Sequence, residues 1–360
     1  MATPFRSGRG IVGIIEETTA GTYNVPGSTE SFHATNISYT PTQQTWERKD
    51  STTNFGLRDS IPGAAEGDLT FEVALTGVSG IAATHIAPFP FWEKAFMACG
   101  HKRTFTASVS IVYEPTTVFT GAVTGLGPWV TQPSSGYSVS MWTDNQGGAS
   151  SWIFSICGAQ GDVSISTKQG EPLIAKFKFH GAYQAAALGT QVSAAGDPAL
   201  NPPTFMGATM NLLGIAATPT SNPASWAFDG WEFSKGNVLS KRGDVSATSG
   251  VRGAWITGHK PTIKLAPEMV NKSAPFVGMD FYDRWRKGTA AAANSFVANL
   301  TTTPSTGSKF LFTVPQAQIR ELSLGDREGA ITNEITMAIT TPKDAADGAD
   351  YSLGIYTSVV

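Results

Sequence analysis

The strongest constraint on the fold is that the two halves of the chain carry the same residue pattern in the same order. Six residues of the first half recur 194 positions later: Phe32, Ile37, Tyr39, Arg48, Asp50 and Arg58 correspond to Trp226, Trp231, Phe233, Arg242, Asp244 and Arg252. Further matches keep this order, such as Ala87-Pro88-Phe89 with Ala274-Pro275-Phe276. Self-similarity at a long period is typical of a duplicated unit, and about 150 residues is the size of one domain. The sequence therefore predicts two copies of one domain.

The repeat also sets the expected domain boundaries. We predict a first domain over 1–190, a second over 204–345 and a C-terminal tail over 346–360. The segment 184–203 is rich in Ala, Gly and Pro, which is typical of a linker. The spacing between matching residues falls from 187 to 158 within the repeat, so the first copy holds an insertion at about 103–133.

Hydrophobic periodicity predicts mostly strands. Residues 68–75 alternate between polar and apolar types, with Leu69, Phe71, Val73 and Leu75 on the apolar side. Each half also carries one helical pattern, at 90–99 and at 279–287, closed by a glycine just after the last helical residue. The sequence thus predicts a mainly β fold of two tandem β-sandwich or barrel domains, each flanked by one α-helix.

One glycine is out of step with the repeat. Residues 175–180 alternate like a strand and match 333–338 at a spacing of 158, but Gly170 matches Gly329 at a spacing of 159. An extra residue in one strand of a pair is the definition of a β-bulge. The mismatch predicts a bulge or a different turn before the strand in the second copy.

Composition favours an assembly. Charged residues make up 15% of the chain, against about 25% in an average soluble protein, and the chain contains 20 Phe and 9 Trp. Aromatic residues are enriched and charges depleted at the centres of interfaces, which favours self-association over two separate β domains with neutral surfaces. The formal net charge of −3 is too small to indicate a surface for nucleic acid or a membrane.

Several motifs match binding or catalytic patterns but lack the context that gives them meaning. Residues 8–13 have dinucleotide-binding spacing, yet no βαβ unit surrounds them. Arg242-Gly243-Asp244 spells an adhesion tripeptide, but it falls where the first copy has Arg48-Lys49-Asp50. The five histidines show no metal-ligand spacing, with each other or with the two cysteines. We therefore expect no enzyme activity, no cofactor, no metal and no small-molecule substrate.

The chain carries no recognisable targeting segment. The first 13 residues lack the apolar core of a signal peptide, and no stretch approaches 18 apolar residues. Cys99 and Cys157 each lie in an apolar stretch, as buried free thiols do in a reducing compartment. We expect a protein that folds in the cytoplasm and does not enter a membrane.

A series of stretches in the first copy occurs in an order that is typical of one protein family. They are GIIEETTAGTYNVP at 13–26, the polar segment 48–63 ahead of an alternating strand, FWEK to CG at 91–100, and the turns at 158–161 and 170–172. In this order they resemble the major tail tube proteins of long-tailed bacteriophages. The resemblance covers most of the first copy and extends more loosely over the second.

The resemblance implies a structural protein of the virion tail, assembled in the cytoplasm of the bacterial host. In that family, stacked rings of β-sandwich domains surround a channel that carries the tape measure protein and later the DNA. Six such domains make one ring, so two fused domains imply a homotrimeric ring with pseudo-sixfold symmetry. The implied partners are further copies of the chain, the tape measure protein, a tail terminator and a distal tail protein.

The resemblance also implies a contact between rings through the segment 48–63 and its counterpart 242–258. Charges there would set the register between rings, and solvated turn charges are the alternative. We expect the insertion at 103–133 to lie on the exterior or between rings. The candidate contact residues are Arg48, Asp50, Arg58, Arg242, Asp244 and Arg252.

The channel of such a tube should be polar and, on balance, negative, so that DNA passes without specific binding. Asp68, Glu72 and Glu334 are candidates for that face, although alternation does not distinguish channel from exterior. Two other classes stay open: a distal tail or baseplate ring protein or a contractile-tail tube, and a carbohydrate-binding or hydrolytic β protein suggested by nine tryptophans.

Overall fold

The computed structural model shows a mainly antiparallel β protein, as the sequence predicts. The structure describes residues 6–48, 59–78, 89–116, 136–144, 151–194, 202–205, 209–214, 228–269, 281–286, 296–302, 308–340 and 350–357. Among these residues, no helix is both long and apolar enough to cross a membrane.

Among its described residues, the first half contributes eight strands, one short α-helix and a 3-10 helix at Ser28–Glu30. The strands are β1 Arg6–Glu16, β2 Ser31–Trp46, β3 Ile61–Ala74, β4 His101–Thr106, β5 Ser110–Pro115, β6 Tyr137–Asp144, β7 Ser151–Lys168 and β8 Ile174–Gly189, and the helix is α1 Glu93–Ala98. Strand β8 continues into the segment 184–203, so the connection between the halves begins later than the sequence predicts.

In the described part of the second half there are ten strands and one short α-helix. The strands are β9 Thr209–Gly214, β10 Phe228–Ser234, β11 Asn237–Gly243, β12 Val251–His259, β13 Thr262–Pro267, β14 Phe296–Thr302, β15 Ser308–Val314, β16 Ala317–Arg327, β17 Ala330–Ile339 and β18 Ser352–Thr357, and the helix is α2 Phe281–Arg286. Both helices lie inside the predicted helical segments, and α1 is shorter than predicted.

Six strands of the first half close into a barrel. Strands β7, β6, β1, β2, β3 and β8 are hydrogen-bonded in this order, and β8 pairs again with β7. The predicted inward residues of β3 are confirmed, since Leu69 and Phe71 are fully buried and Val73 is 3% exposed. Phe71 stacks on Phe177 of β8, and the aromatic side chains of the two strands fill the barrel.

Two sheets run through both halves of the chain. The C-terminal part of β7 pairs with β10, which continues the first sheet through β13 and β17 to β16. A second sheet has the order β4, β5, β18, β15, β14, β9. Strands β4 and β5 include the start of the predicted insertion, and β18 lies in the segment 346–360 that we predicted as a tail. Because both sheets cross between the halves, the boundaries 1–190 and 204–345 stay a prediction.

One three-strand register occurs twice. Leu69 of β3 pairs with Tyr39 of β2 and with Phe179 of β8. Ile263 of β13, which is 194 positions after Leu69, pairs with Phe233 of β10 and with Met337 of β17. These partners are the residues that the sequence repeat matches, so β2, β3 and β8 correspond to β10, β13 and β17 residue by residue.

Candidate assembly surface

The polar face of one sheet runs through both halves without interruption. Strands β2, β3, β8, β7, β10, β13, β17 and β16 pair in this order. Paired residues of neighbouring strands point to the same face, so a single row can be followed across the junction. From Ser166 of the first half this row passes through Glu232, Lys264, Thr336 and Glu321 of the second half. A groove of about 490 Å³ lies over these residues.

Charges on this face are paired across strands. In the first half, Lys176 lies 3.7 Å from Glu72, and Lys178 lies 3.9 Å from Asp68. In the second half, Lys264 lies 3.3 Å from Glu232. Exposed pairs of this kind add little stability each, but they neutralise the lysines locally. Among the described residues the carboxylates outnumber the cationic groups: Glu66, Asp68, Glu72, Asp162, Glu232, Glu321 and Glu334 against Lys168, Lys176, Lys178, Lys264 and Arg327.

The edge strand β16 corresponds to the interior strand β7. Val163 of β7 pairs with Phe177, and Leu322 of β16 pairs with Ile335, the counterpart of Phe177. One step further along each strand pair, Ile165 corresponds in the same way to Leu324. At Val163 and Leu322, and from there to the ends of the two strands, corresponding residues are separated by 159 positions rather than 158.

The extra residue is a β-bulge at Arg320, where the pairing of β16 with β17 shifts between Ile319 and Glu321. It accounts for the one-residue offset of Gly329 from Gly170, which the sequence predicted as a bulge or turn. Trp285 of α2 donates a hydrogen bond to the carbonyl of Arg320 at 3.3 Å. Helix α2 therefore supports the bulge from outside the sheet.

Corresponding apolar residues differ sharply in exposure. Ile165 is 1% exposed, whereas Leu324 is 60% exposed. Likewise Leu173 is 2% exposed and its counterpart Ile331 is 54% exposed. The first residue of each pair lies inside the molecule, and the second lies at the end of the sheet, where β16 pairs with β17 alone among the described strands. The second half thus ends in an uncovered copy of a surface that is buried in the first half.

Among the described residues, the opposite end of this row of strands is also open. Strand β2 pairs with β1 through residues 31–35, and over 36–46 the structure gives it β3 as its partner strand. Its counterpart β10 uses the equivalent edge to pair with β7. An unpaired edge is a template for another strand, so the sheet offers one edge at each end.

A buried polar cluster fixes the junction between the halves. Lys235, which follows β10 and is 2% exposed, donates hydrogen bonds from Nζ to the carbonyls of Cys99, at 2.5 Å, and Gly100, at 2.7 Å. These carbonyls end α1, so the ammonium group interacts favourably with the helix C-terminus. The side-chain amide of Asn237 also donates to the Cys99 carbonyl, at 2.9 Å. The backbone N–H of Asn237 donates to the carboxylate of Asp162.

Burial dominates the ionisation of this cluster. It lowers the pKa of Lys235 to about 8, against the opposing influence of Cys99, Asp162 and Asp350. Burial likewise lowers the pKa of His101 well below its usual range, and its Nε2 lies 2.7 Å from the hydroxyl of Tyr351. The C-terminal strand is therefore tied to the same junction.

Three of the six predicted contact residues lie together in the hairpin formed by β11 and β12. Asp244 accepts hydrogen bonds from the hydroxyl of Ser246 at 2.6 Å and from its amide at 2.9 Å, and these bonds lower the pKa of Asp244. Arg252 Nη1 lies 3.4 Å from Asp244, and the guanidinium of Arg242 lies 4.9 Å from the ring centre of Trp255. These charges therefore stabilise the hairpin itself.

The same hairpin rests on the first half of the chain. Arg252 Nε donates to the carbonyl of Ala20 at 3.2 Å, and the carbonyl of Ser249 accepts from the amide of Ala65 at 2.8 Å. Gly158 has a φ of +57°, and a Cβ at this position would lie 2.2 Å from the carbonyl oxygen of Arg252. A glycine is required on both grounds.

The first-copy candidates are less defined. Arg48 lies just after β2, while Asp50 and Arg58 lie outside the described residues. On either side of this segment, Trp46 and Ile61 form a cross-strand pair, and they are 58% and 52% exposed. Ile256, the counterpart of Ile61, is 7% exposed. The base of the first-copy hairpin therefore leaves apolar surface uncovered.

Sequence reasoning missed the two residues that fix the junction, Lys235 and Gly158. Lys235 is a single lysine at a strand end, where the first copy has Pro41, and Gly158 is one of 38 glycines. No protein-family model matches the chain, and no curated protein has significant sequence similarity to it. The described residues contain no group of three or more His, Cys, Asp or Glu side chains that could hold a metal ion.

Proposed function

We propose that this protein is a structural subunit that assembles head to tail into rings, and that stacked rings form the tail tube of a long-tailed bacteriophage. The observation that carries the proposal is the contrast between Ile165, which is 1% exposed, and Leu324, which is 60% exposed. The surface that the second half covers inside the chain is repeated, uncovered, at the far end. A second copy is the partner whose shape fits this surface.

Head-to-tail contacts use different surfaces on the two partners, so they generate either a closed ring or an open filament. A ring closes both edges of the sheet, which removes the risk of uncontrolled strand pairing. The resemblance to tail tube proteins implies six units in a ring. With two units in each chain, three chains would complete it with pseudo-sixfold symmetry.

The polar face of strands β2, β3, β8, β7, β10, β13, β17 and β16 is the surface that we assign to the channel. Its excess of carboxylates would repel phosphates, and its lysines are held beside carboxylates, such as Lys264 beside Glu232 at 3.3 Å. DNA and the tape measure protein would then pass without specific binding. A tail terminator and a distal tail protein are the end partners that this function requires.

Carbohydrate binding receives less support. Trp231, one of the tryptophans behind that alternative, is 4% exposed and stacks on Phe312 at 5.2 Å. A buried tryptophan serves packing and offers no platform to a sugar.

The test is negative-stain electron microscopy of the purified protein together with sedimentation velocity. We expect rings or stacked tubes with a central hole, and we expect Leu324→Asp to reduce assembly at least tenfold. Val245→Asp is the matched control, because Val245 is fully exposed on the hairpin turn. The proposal would be contradicted if the wild-type protein and the Leu324→Asp variant both stayed compact monomers at high concentration.

A further inference from the structure

We propose that neighbouring chains join through β2 of one chain and β16 of the next, in the register of the junction within the chain, and that Pro41 makes this contact the weaker of the two. The inference rests on the proposed function, since it requires a second copy. It specifies which residues meet and where an assembled ring opens.

The register follows from the junction between β7 and β10. There Phe233 pairs with Ile165, and Ser234 pairs with Ser164. Strand β2 corresponds to β10 at a spacing of 194, and β16 beyond its bulge corresponds to β7 at a spacing of 159. Transferring the pairs gives the contact between chains: Asn36 with Arg327, Ile37 with Asp326, Ser38 with Gly325, Tyr39 with Leu324, and Thr40 with Ser323.

The central pair of this register is chemically matched. Tyr39 is half-buried and lies 5.4 Å, between ring centres, from Phe154. Leu324 is 60% exposed on the face that continues the core. Placing Leu324 beside Tyr39 repeats the contact of Ile165 with Phe233 and removes its apolar surface from water. The flanking pairs on the other face, Thr40 with Ser323 and Ser38 with Gly325, are small enough to leave the polar surface continuous.

The contact between chains lacks two features of the junction within the chain. The amide of Lys235 donates to the carbonyl of Val163 at 3.0 Å, and its ammonium group holds the end of α1. The corresponding residue of β2 is Pro41, which has neither a backbone N–H nor a charge. Proline at an exposed edge restricts pairing with other strands. Strand pairing between chains would therefore stop at Thr40, one hydrogen bond short.

Disulfide cross-linking tests the register. Thr40→Cys combined with Ser323→Cys places two thiols opposite each other in neighbouring chains, and both positions are exposed. We expect covalent dimers and trimers on non-reducing gels. The control combines Thr40→Cys with Glu321→Cys, which lies on the same face two residues away, too far for a disulfide. The native Cys99 and Cys157 are buried.

The outcomes separate this inference from the proposed function. Suppose that the wild-type protein forms rings in the microscope, but the Thr40–Ser323 cross-link does not form or the control pair cross-links instead. This result would overturn the register and leave the proposed function standing. Monomers in every variant, with no wild-type rings, would overturn both.

Pro41→Thr tests the weakness of the contact. The new amide can donate to the carbonyl of Leu322 in the next chain, and one backbone hydrogen bond should tighten association about fivefold per contact. Pro62→Thr is the control, since Pro62 lies in β3 and pairs with Thr45 away from the edge. Unchanged or weaker association of Pro41→Thr in sedimentation equilibrium would refute the role of Pro41.

Discussion

The buried ammonium group of Lys235 makes a prediction about pH. This side chain joins the end of β10 in the second half to the end of α1 in the first half, and it is 2% exposed. We consider Lys235→Met, which keeps the length of the side chain but removes the charge. In this variant Asn237 still donates to the Cys99 carbonyl and the backbone amide of Thr116 still donates to the Gly100 carbonyl, so both carbonyls keep a partner.

The magnitude follows from the displaced pKa. Burial lowers the pKa of Lys235 from 10.5 to about 8. The charged form therefore costs the folded state about 3 kcal/mol below pH 8, at about 1.4 kcal/mol per pH unit of displacement. Between about pH 8 and 10.5 the unfolded chain binds the proton and the folded chain does not. In this window the free energy of unfolding rises with pH, because the folded state no longer carries the cost of the buried charge of Lys235.

The assay is urea unfolding of wild-type protein and Lys235→Met in dilute solution at pH 7, 8, 9 and 9.5. From pH 7 to 9.5 we expect the stability of the wild type to rise by about 2 kcal/mol relative to the variant. The comparison between the two proteins cancels the tyrosines and thiols that titrate in the same range. Parallel pH profiles, or a wild type that loses stability relative to the variant, would refute the assignment of a buried charge.

Two further predictions concern the hairpin that rests on the first half. Gly158→Ala should cost several kcal/mol, because the residue has a φ of +57° and its Cβ would lie 2.2 Å from the Arg252 carbonyl. Gly170→Ala, with a φ of +79° and nothing within 4 Å of its Cβ, should cost about 1 kcal/mol, and equal losses in thermal unfolding would contradict the close approach. Arg252→Ala should cost about 1 kcal/mol through its lost hydrogen bond to the first half, whereas Arg242→Ala should change stability by less than about 0.5 kcal/mol. Urea unfolding of both arginine variants measures this difference.

Strand periodicity and the repeat could be read from the sequence because both depend on local order along the chain. The alternation at 68–75 identifies Leu69, Phe71 and Val73 as core residues, and all three are buried. The one-residue offset at Gly329 predicts an irregularity, which the structure places at Arg320 in β16. A side chain that alternates with period two must face one side of a sheet, so these assignments need no tertiary information.

The candidate contact residues show where this reasoning stops. The repeat places Arg242, Asp244 and Arg252 in one segment of the second half, and the structure joins them in one hairpin. It does not indicate that this hairpin lies on the first half of the same chain, because docking depends on Gly158 and Ala20, which are distant in sequence. Their counterparts Asp50 and Arg58 lie outside the described residues.

The sequence by itself determined the β class, the two helices and the correspondence between the halves, since periodicity and spacing are properties of the linear chain. Only the tertiary structure decided that both sheets cross from one half to the other and that β18 joins β5 to β15. Which edge is covered and which is open, as for Ile165 and Leu324, likewise follows from chain connectivity in space. Two corresponding strands differ in burial because β10 of the second half pairs with β7, whereas β16 pairs with β17 alone among the described strands.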